Sequence, residues 1–230
     1  RRGMTPPPWP GALRGAHVVR KYLPYSQAWL HRLINGPQDV AASVVAERLV
    51  RPGTAAFPLS NLLVLRTSFQ AAYWRAVLSA RGGRRGPALA LDALRAEAPQ
   101  LLHAHFGHTA WRWLPVARRL RVPLVASFYG WEMSALPSQQ PWWRQRYREL
   151  FTAGALFLCE GPAMARALVA LGCPAERIGL QRLGIDTRAI SASPRRVRPG
   201  EPLQVLAAAR FTEKKGLPDA IAAVARASRE

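Results

Sequence analysis

Lysine is almost missing from this chain, which carries 33 basic residues but only three lysines, Lys21, Lys214 and Lys215. Cysteine is scarcer still. Cys159 and Cys173 stand alone, with no second pair at zinc-ligand spacing, so neither a disulfide framework nor a structural metal site is indicated and a reducing cytosol is the expected compartment. No apolar run approaches the ~20 residues that cross a bilayer, and the first residues lack the apolar core of a signal peptide. The expected location is the cytoplasm, either free or peripheral on the inner face of the membrane. Acidic residues number 13, which leaves a formal charge of +20. Such a chain is drawn to polyanions, whether nucleic acid, anionic lipid head groups or phosphorylated substrates, and charge alone does not choose among them. The dominance of arginine, with abundant Ala, Gly and Pro, points to a GC-rich coding bias behind part of that charge.

What is present is enough apolar material, 49% of 230 residues, to bury the core of one large domain and the beginning of another. Residues 1–15, rich in Pro, Gly and Arg without apolar periodicity, read as a disordered leader. Ala16 to Leu23 reads as a strand, and Ser26 as the N-cap of a helix with Trp29, Leu30, Leu33 and Ile34 at helical spacing. Val40 to Ala46 is a second predicted strand, Asn61 to Ala80 a long amphipathic helix, and about Ala88 to Glu97 another. From there the alternation is regular. Strands are predicted at Leu101–Phe106, Pro123–Phe128, Ala155–Cys159 and Ile178–Leu183, with helices at His108–Leu120, Trp142–Ala153 and Pro162–Leu171 between them. Short apolar strands separated by helices imply a parallel, doubly wound, Rossmann-like sheet, whose ligands sit beyond the carboxyl ends of the strands. The residues just after each strand are therefore the ones to watch.

Residues 187–201 are polar, basic and Pro-rich, suited to a linker. A new unit follows: Leu203 to Ala209 is apolar over the length of a strand, Arg210 to Gly216 is a basic loop, and Pro218 sits where a first helical turn tolerates it. Strand, loop and helix start make an anion cradle, in which free N–H groups of the first turn act with the cations Arg210 and Lys215 on a phosphate without any metal. The plain alternative is a solvated basic corner. One strand and one helix bury no core of their own, so residues 202–230 are expected to be the start of a truncated domain.

Five short segments, HAHFG at 103–107, SFYGWE at 127–132, LVALGCP at 168–174, GID at 184–186 and RFTEKKG at 210–216, stand in the order and rough spacing of the retaining glycosyltransferases of family 4 (group 1), which this chain resembles. The resemblance implies a GT-B enzyme. Two Rossmann-like domains hold a nucleotide-sugar donor in the cleft between them, with no metal or other cofactor, and a polysaccharide or lipid-linked acceptor receives the sugar in cell-surface glycan synthesis. Residues 16–186 would be the acceptor-side domain, and residues 202–230 the first βα unit of the donor-side domain. By this resemblance Arg210 and Lys215 bind the donor diphosphate, stabilising the charge that grows on it as the glycosidic bond breaks.

Departures from the family pattern shape the remaining candidates. Where family members have a histidine after the strand ending at Phe128, this chain has Tyr129, whose hydroxyl, with an unperturbed pKa of about 10, hydrogen-bonds readily but is a poor base at neutral pH. Tyr129 and His105 are the catalytic candidates, and His103 reads as structural. Ala209 replaces the usual glycine before Arg210, and the paired donor-binding glutamates of the family are expected past Glu230, so residues 1–230 alone are expected to be inactive. Ser26, Glu132 and Glu160 are the acceptor- or sugar-binding candidates, against capping for Ser26 and simple solvation for the glutamates. Asp186 is read as a hinge residue or a turn cap. Two segments interleave aromatics with arginine, at 69–75 and 142–148. Packing on the sheet is the plain reading and an anionic membrane surface the sharper one. Two other functions fit parts of the sequence. A nucleic-acid-binding domain suits the charge but lacks any recognisable reading motif, and a sugar-nucleotide epimerase would share the fold.

Overall fold

A computed structural model describes residues 12–22, 27–37, 39–50, 61–68, 86–194, 198 and 200–229. The chain divides into two compact units, Arg1–Ile185 and Asp186–Glu230.

Among the described residues, the first unit is built on one seven-stranded sheet in the order β3-β2-β1-β4-β5-β6-β7. Its strands are β1 (Leu13–Tyr22), β2 (Val40–Leu49), β3 (Leu62–Val64), β4 (Leu101–His105), β5 (Leu124–Phe128), β6 (Leu156–Cys159) and β7 (Ile178–Leu180). Every neighbouring pair is parallel. The chain winds outward from β1 to β2 and β3, then returns to the other side of β1 as β4. The strand order therefore reverses between β1 and β4, which is where a doubly wound sheet opens its ligand crevice.

Alternation of side chains along the strands explains the two covered faces. Ala16, Val18, Leu102, Ala104, Ala126 and Phe128 pack in one cluster with Trp113 and Leu114 of α4 (Gly107–Leu120) and Tyr147, Leu150 and Phe151 of α6 (Trp142–Ala153). Val19 and Val44, of opposite parity to Val18 and Val45, join Leu30 and Ile34 of α1 (Ala28–Asn35) in a second cluster. The other α-helices named among the described residues of this unit are α2 (Leu65–Ser68), α3 (Leu91–Glu97), α5 (Ala135–Gln139) and α7 (Pro162–Ala170). A Cβ on Gly107 would lie 2.1 Å from Cε1 of Phe128, so α4 presses against β5 only because that position is glycine.

Four sequence expectations change. β1 begins at Leu13, inside the expected leader, because Leu13 to Gly15 pair in register with Val40 to Ala42. The described start of the expected helix at 61–80 is the edge strand β3, which finds its ladder on Val44 to Ala46, followed by α2. The short helix α5 had no counterpart in the reading of the sequence. In the second unit, Leu203 to Ala209 form no ladder and are exposed, since an extended segment becomes a strand only when a neighbour takes up its N–H and C=O groups. The helix after it is formed, as α8 (Leu217–Ala227) with Pro218 in its first turn.

The aromatic residues of α6 divide by face. Trp143 and Tyr147 are buried, which favours packing for them, while Trp142, Arg144 and Arg148 are exposed. The companion segment at 69–75 lies outside the described residues, and so does Ser26. No described helix is long and apolar enough to cross a membrane.

Candidate functional site

A row of polar side chains crosses the sheet at its centre. His103 and His105 are two apart on β4 and share a face, His17 of β1 stands in register with His103, and Ser127 of β5 stands in register with His105. His17 Nδ1 and His105 Nε2 share a hydrogen bond of 3.0 Å, His105 Nδ1 and the Tyr129 hydroxyl one of 2.7 Å, and His103 Nε2 and Ser127 Oγ one of 2.7 Å. Three strands are thereby tied by side-chain hydrogen bonds, and Trp29 of α1 lies against the Tyr129 ring at 4.6 Å.

Burial sets the charge state of this row. It lowers His17 to about 4 and His103 to about 3, the latter helped by His17. His105, wholly buried and flanked by both, is held well below the ordinary imidazole range. All three are neutral at pH 7. Tyr129 is pushed up, first by burial, so its hydroxyl stays protonated. The pair expected to be catalytic is therefore in contact, as two neutral hydrogen-bonding groups rather than an ion pair. His105 closes β4 and is fully buried, with the Tyr129 hydroxyl on its Nδ1.

Glu132 does not face solvent. It is fully buried, its Oε1 accepts the backbone N–H of Tyr129 at 2.7 Å, and its own carbonyl accepts the Tyr147 hydroxyl at 2.6 Å. Burial raises its carboxyl from 4.5 to about 7, against the backbone N–H groups of Tyr129, Glu132 and Gly107, with the charge of Glu160 adding to the rise. Its position is that of a loop anchor for Tyr129 rather than a direct sugar ligand. Glu160, half-buried at the end of β6, lies close enough to raise both Tyr129 and Glu132. The strand ends of β4, β5 and β6 thus bring together His105, Tyr129, Glu132 and Glu160. Between His105 and α4, Phe106 holds φ 75°, a left-handed conformation that costs a non-glycine residue about 1–3 kcal/mol.

The Glu132 shift carries a stability consequence. A carboxyl whose pKa is higher folded than unfolded costs nothing at low pH, and the cost grows as pH rises from about 4.5 to about 7 and is complete above that. The amount is about 3 kcal/mol. Glu132→Gln keeps the acceptor for Tyr129 and removes the titration. Urea midpoints measured at pH 5 and pH 8 should therefore fall less with rising pH in the variant than in the wild type. Glu47, also raised by burial, adds a slope of the same sign that cancels in the comparison.

Reading the sequence missed a second buried group. Arg112 of α4 meets Glu47 of β2 at 2.9 Å, with side-chain exposures of 13% and 3%, and Arg20 acts on the same carboxylate. His108 stands beside both arginines and is lowered to about 4, first by burial. Its ring meets the half-exposed Trp131 edge-on at 6.1 Å. Nothing local marks Glu47 or His17 in the sequence. Each is one of several polar residues along its strand, and only register gives it a partner.

In the second unit, Arg210 and Lys215 are both exposed on the loop that leads into α8. Lys215 closes a single 3₁₀ turn, Glu213–Lys215, and Gly216 then takes φ 61° as the residue before the helix, a conformation natural to glycine. Asp219 occupies the first turn. At the start of the second unit, Asp186 caps a 3₁₀ turn by accepting the N–H of Arg188 at 3.1 Å.

A doubly wound parallel sheet of this order defines a Rossmann-like α/β domain. Over residues 43–189 the sequence matches Glycosyltransferase Family 4, and the chain belongs to that family. Over 166 residues it is 36% identical to WcaL of Salmonella typhimurium, named for a glycosyltransferase of colanic acid biosynthesis, covering 67% of this chain and 39% of WcaL. Over 143 residues it is 32% identical to the amylovoran biosynthesis glycosyltransferase AmsK of Erwinia amylovora, covering 60% of this chain and 34% of AmsK. The chain thus spans well under half the length of these relatives. Anabaena HepE, crystallised in complex with UDP-glucose, shares the fold with TM-score 0.56 and 16% identity over 79% of this chain and 47% of HepE. A UDP-N-acetylglucosamine 2-epimerase shares it with TM-score 0.51 and 11% identity over 74% of this chain and 48% of its own.

Proposed function

We propose that the whole protein transfers a sugar from a nucleotide-sugar donor to a polysaccharide or lipid-linked acceptor, with retention at the anomeric carbon, in the synthesis of a cell-surface polysaccharide. Membership of family 4 over residues 43–189 carries this reading. The names of WcaL and AmsK, glycosyltransferases of colanic acid and amylovoran biosynthesis, support it.

The residues take chemically distinct parts. When the glycosidic C–O bond breaks, negative charge collects on the departing diphosphate. Arg210 offers a forked pair of donors and Lys215 a point charge to that group, and their attraction is greater in the transition state than in the ground state. The donor's phosphates are thus neutralised by protein cations rather than a metal ion. Tyr129 supplies a protonated hydroxyl at the end of β5. His105 fixes that hydroxyl from behind, and Glu132 fixes the backbone that carries it. Glu160, half-buried just after the neighbouring strand, is the group proposed for sugar hydroxyls. A lipid-linked acceptor would bring the protein to the membrane surface, where the exposed Trp142, Arg144 and Arg148 of α6 suit an anionic interface.

The test is incubation of the whole protein with radiolabelled UDP- and GDP-sugars and a membrane extract. Label passing into a lipid or polymer fraction supports the reading. Conversion of the donor to an epimer without transfer, or binding of nucleic acid with no response to any sugar nucleotide, would overturn it.

A further inference from the structure

The imidazoles of His17, His103 and His105 gather three ligand nitrogens within 4.8 Å of one another at the centre of the sheet. We propose that this cluster is a binding site for one transition-metal ion of the zinc type, held by the three histidines and adjoining the site proposed above through the hydrogen bond from His105 to Tyr129.

The arrangement has the parts such a site needs. Two ligands come from a His-x-His pair on β4 and the third from the neighbouring β1, where it stands in register with His103. Strand backbones thus fix all three. In a tetrahedral zinc site with Zn–N bonds of 2.0–2.1 Å, two nitrogen ligands stand about 3.3 Å apart. His17 Nδ1 and His105 Nε2 are 3.0 Å apart, so an ion replacing their shared proton asks only a few tenths of an ångström of that pair, and His103 swings inward to complete the set. Two of the histidines are also braced from outside, His105 by the Tyr129 hydroxyl on its other nitrogen and His103 by Ser127. Bracing of this kind orients a ligand ring and raises its affinity for a metal.

The chemistry of the donors selects the ion. Imidazole suits zinc, copper, nickel and iron, whereas magnesium and calcium require oxygen ligands. Among the described residues this ligand group holds three histidines and no carboxylate. The bound dication would therefore keep its charge unless it took an anion or hydroxide in the fourth position, the usual completion of a three-histidine set.

The test uses the whole protein without an affinity tag, stripped with chelator and then titrated with ZnCl2 and, separately, CoCl2. One zinc per chain should bind with submicromolar affinity and raise Tm, MgCl2 should do neither, and cobalt should show the intense visible bands of a tetrahedral site. His17→Asn, His103→Asn and His105→Asn should each weaken zinc binding at least about a hundredfold, as loss of one of only three ligands demands. Ser127→Ala and Tyr129→Phe, which leave the ligands in place, should weaken it by about ten- to a hundredfold with the stoichiometry kept. These two decide the matter if the histidine variants fail to fold. Absence of stoichiometric zinc binding by the folded wild type, or affinity unchanged in Ser127→Ala and Tyr129→Phe, would overturn the proposal and leave the cluster as a hydrogen-bonded part of the core.

Discussion

Replacing Arg210 and Lys215 with alanine in the whole protein should cut turnover by about a thousandfold while leaving its thermal stability unchanged. Removal of a single donor aimed at developing negative charge costs a factor of about 10²–10³ in kcat. Two groups serving one diphosphate act as a unit, so the double variant should fall little further than the worse single one. Stability should not move, because both side chains are exposed. Lys215→Arg keeps the charge with a different donor geometry and should recover part of the loss. Measurement of kcat for the single and double variants, beside their melting curves, separates this account from one in which the loop is only a solvated corner. In that case all the variants would turn over like the wild type.

Replacing Arg112 with methionine should lower stability by about 3 kcal/mol, the lower end of the cost of orphaning a buried charge. The lower end applies because the Arg112 side chain retains 13% exposure. In a chain of this size the melting temperature should drop by roughly 6–12 °C. Methionine fills the volume but leaves Glu47 buried with its strongest partner gone, and burial already raises that carboxyl in spite of Arg112, Arg20 and Arg48. The double variant Glu47→Leu with Arg112→Met should be the more stable of the two, because removing both charges removes the desolvation cost as well. Thermal melts of the wild type and the two variants test this. A double variant no better than Arg112→Met would mean that the pair holds α4 on β2 through packing rather than charge.

The alternation of strands and helices from Leu101 onward was legible because each strand is a short apolar run bounded by turn residues and each helix carries its own periodicity. β3 was not. Leu62 to Val64 continue directly into α2, and three apolar residues at a helix start look the same whether or not a neighbouring ladder claims them. Leu203 to Ala209 show the converse, with strand-like composition and no ladder. In the candidate site, the positions of His105, Tyr129, Glu132 and Glu160 at successive strand ends followed from the parallel topology. Their division of labour did not. That Glu132 is an internal anchor and Tyr129 a half-buried hydroxyl bonded to histidine depends on how the loop after β5 folds. His17 joins His105 only through the register of β1 on β4, a long-range fact that no local pattern records.

The central claim is that a nucleoside diphosphate is held by the loop from Arg210 to Gly216. Calorimetric titration of the whole protein with UDP, GDP and the corresponding monophosphates tests it most directly, in the wild type and in the Arg210→Ala, Lys215→Ala double variant. The account predicts that the wild type binds one diphosphate more tightly than its monophosphate by at least tenfold and that the double variant loses this preference. A double variant that still prefers the diphosphate by the same factor would contradict it.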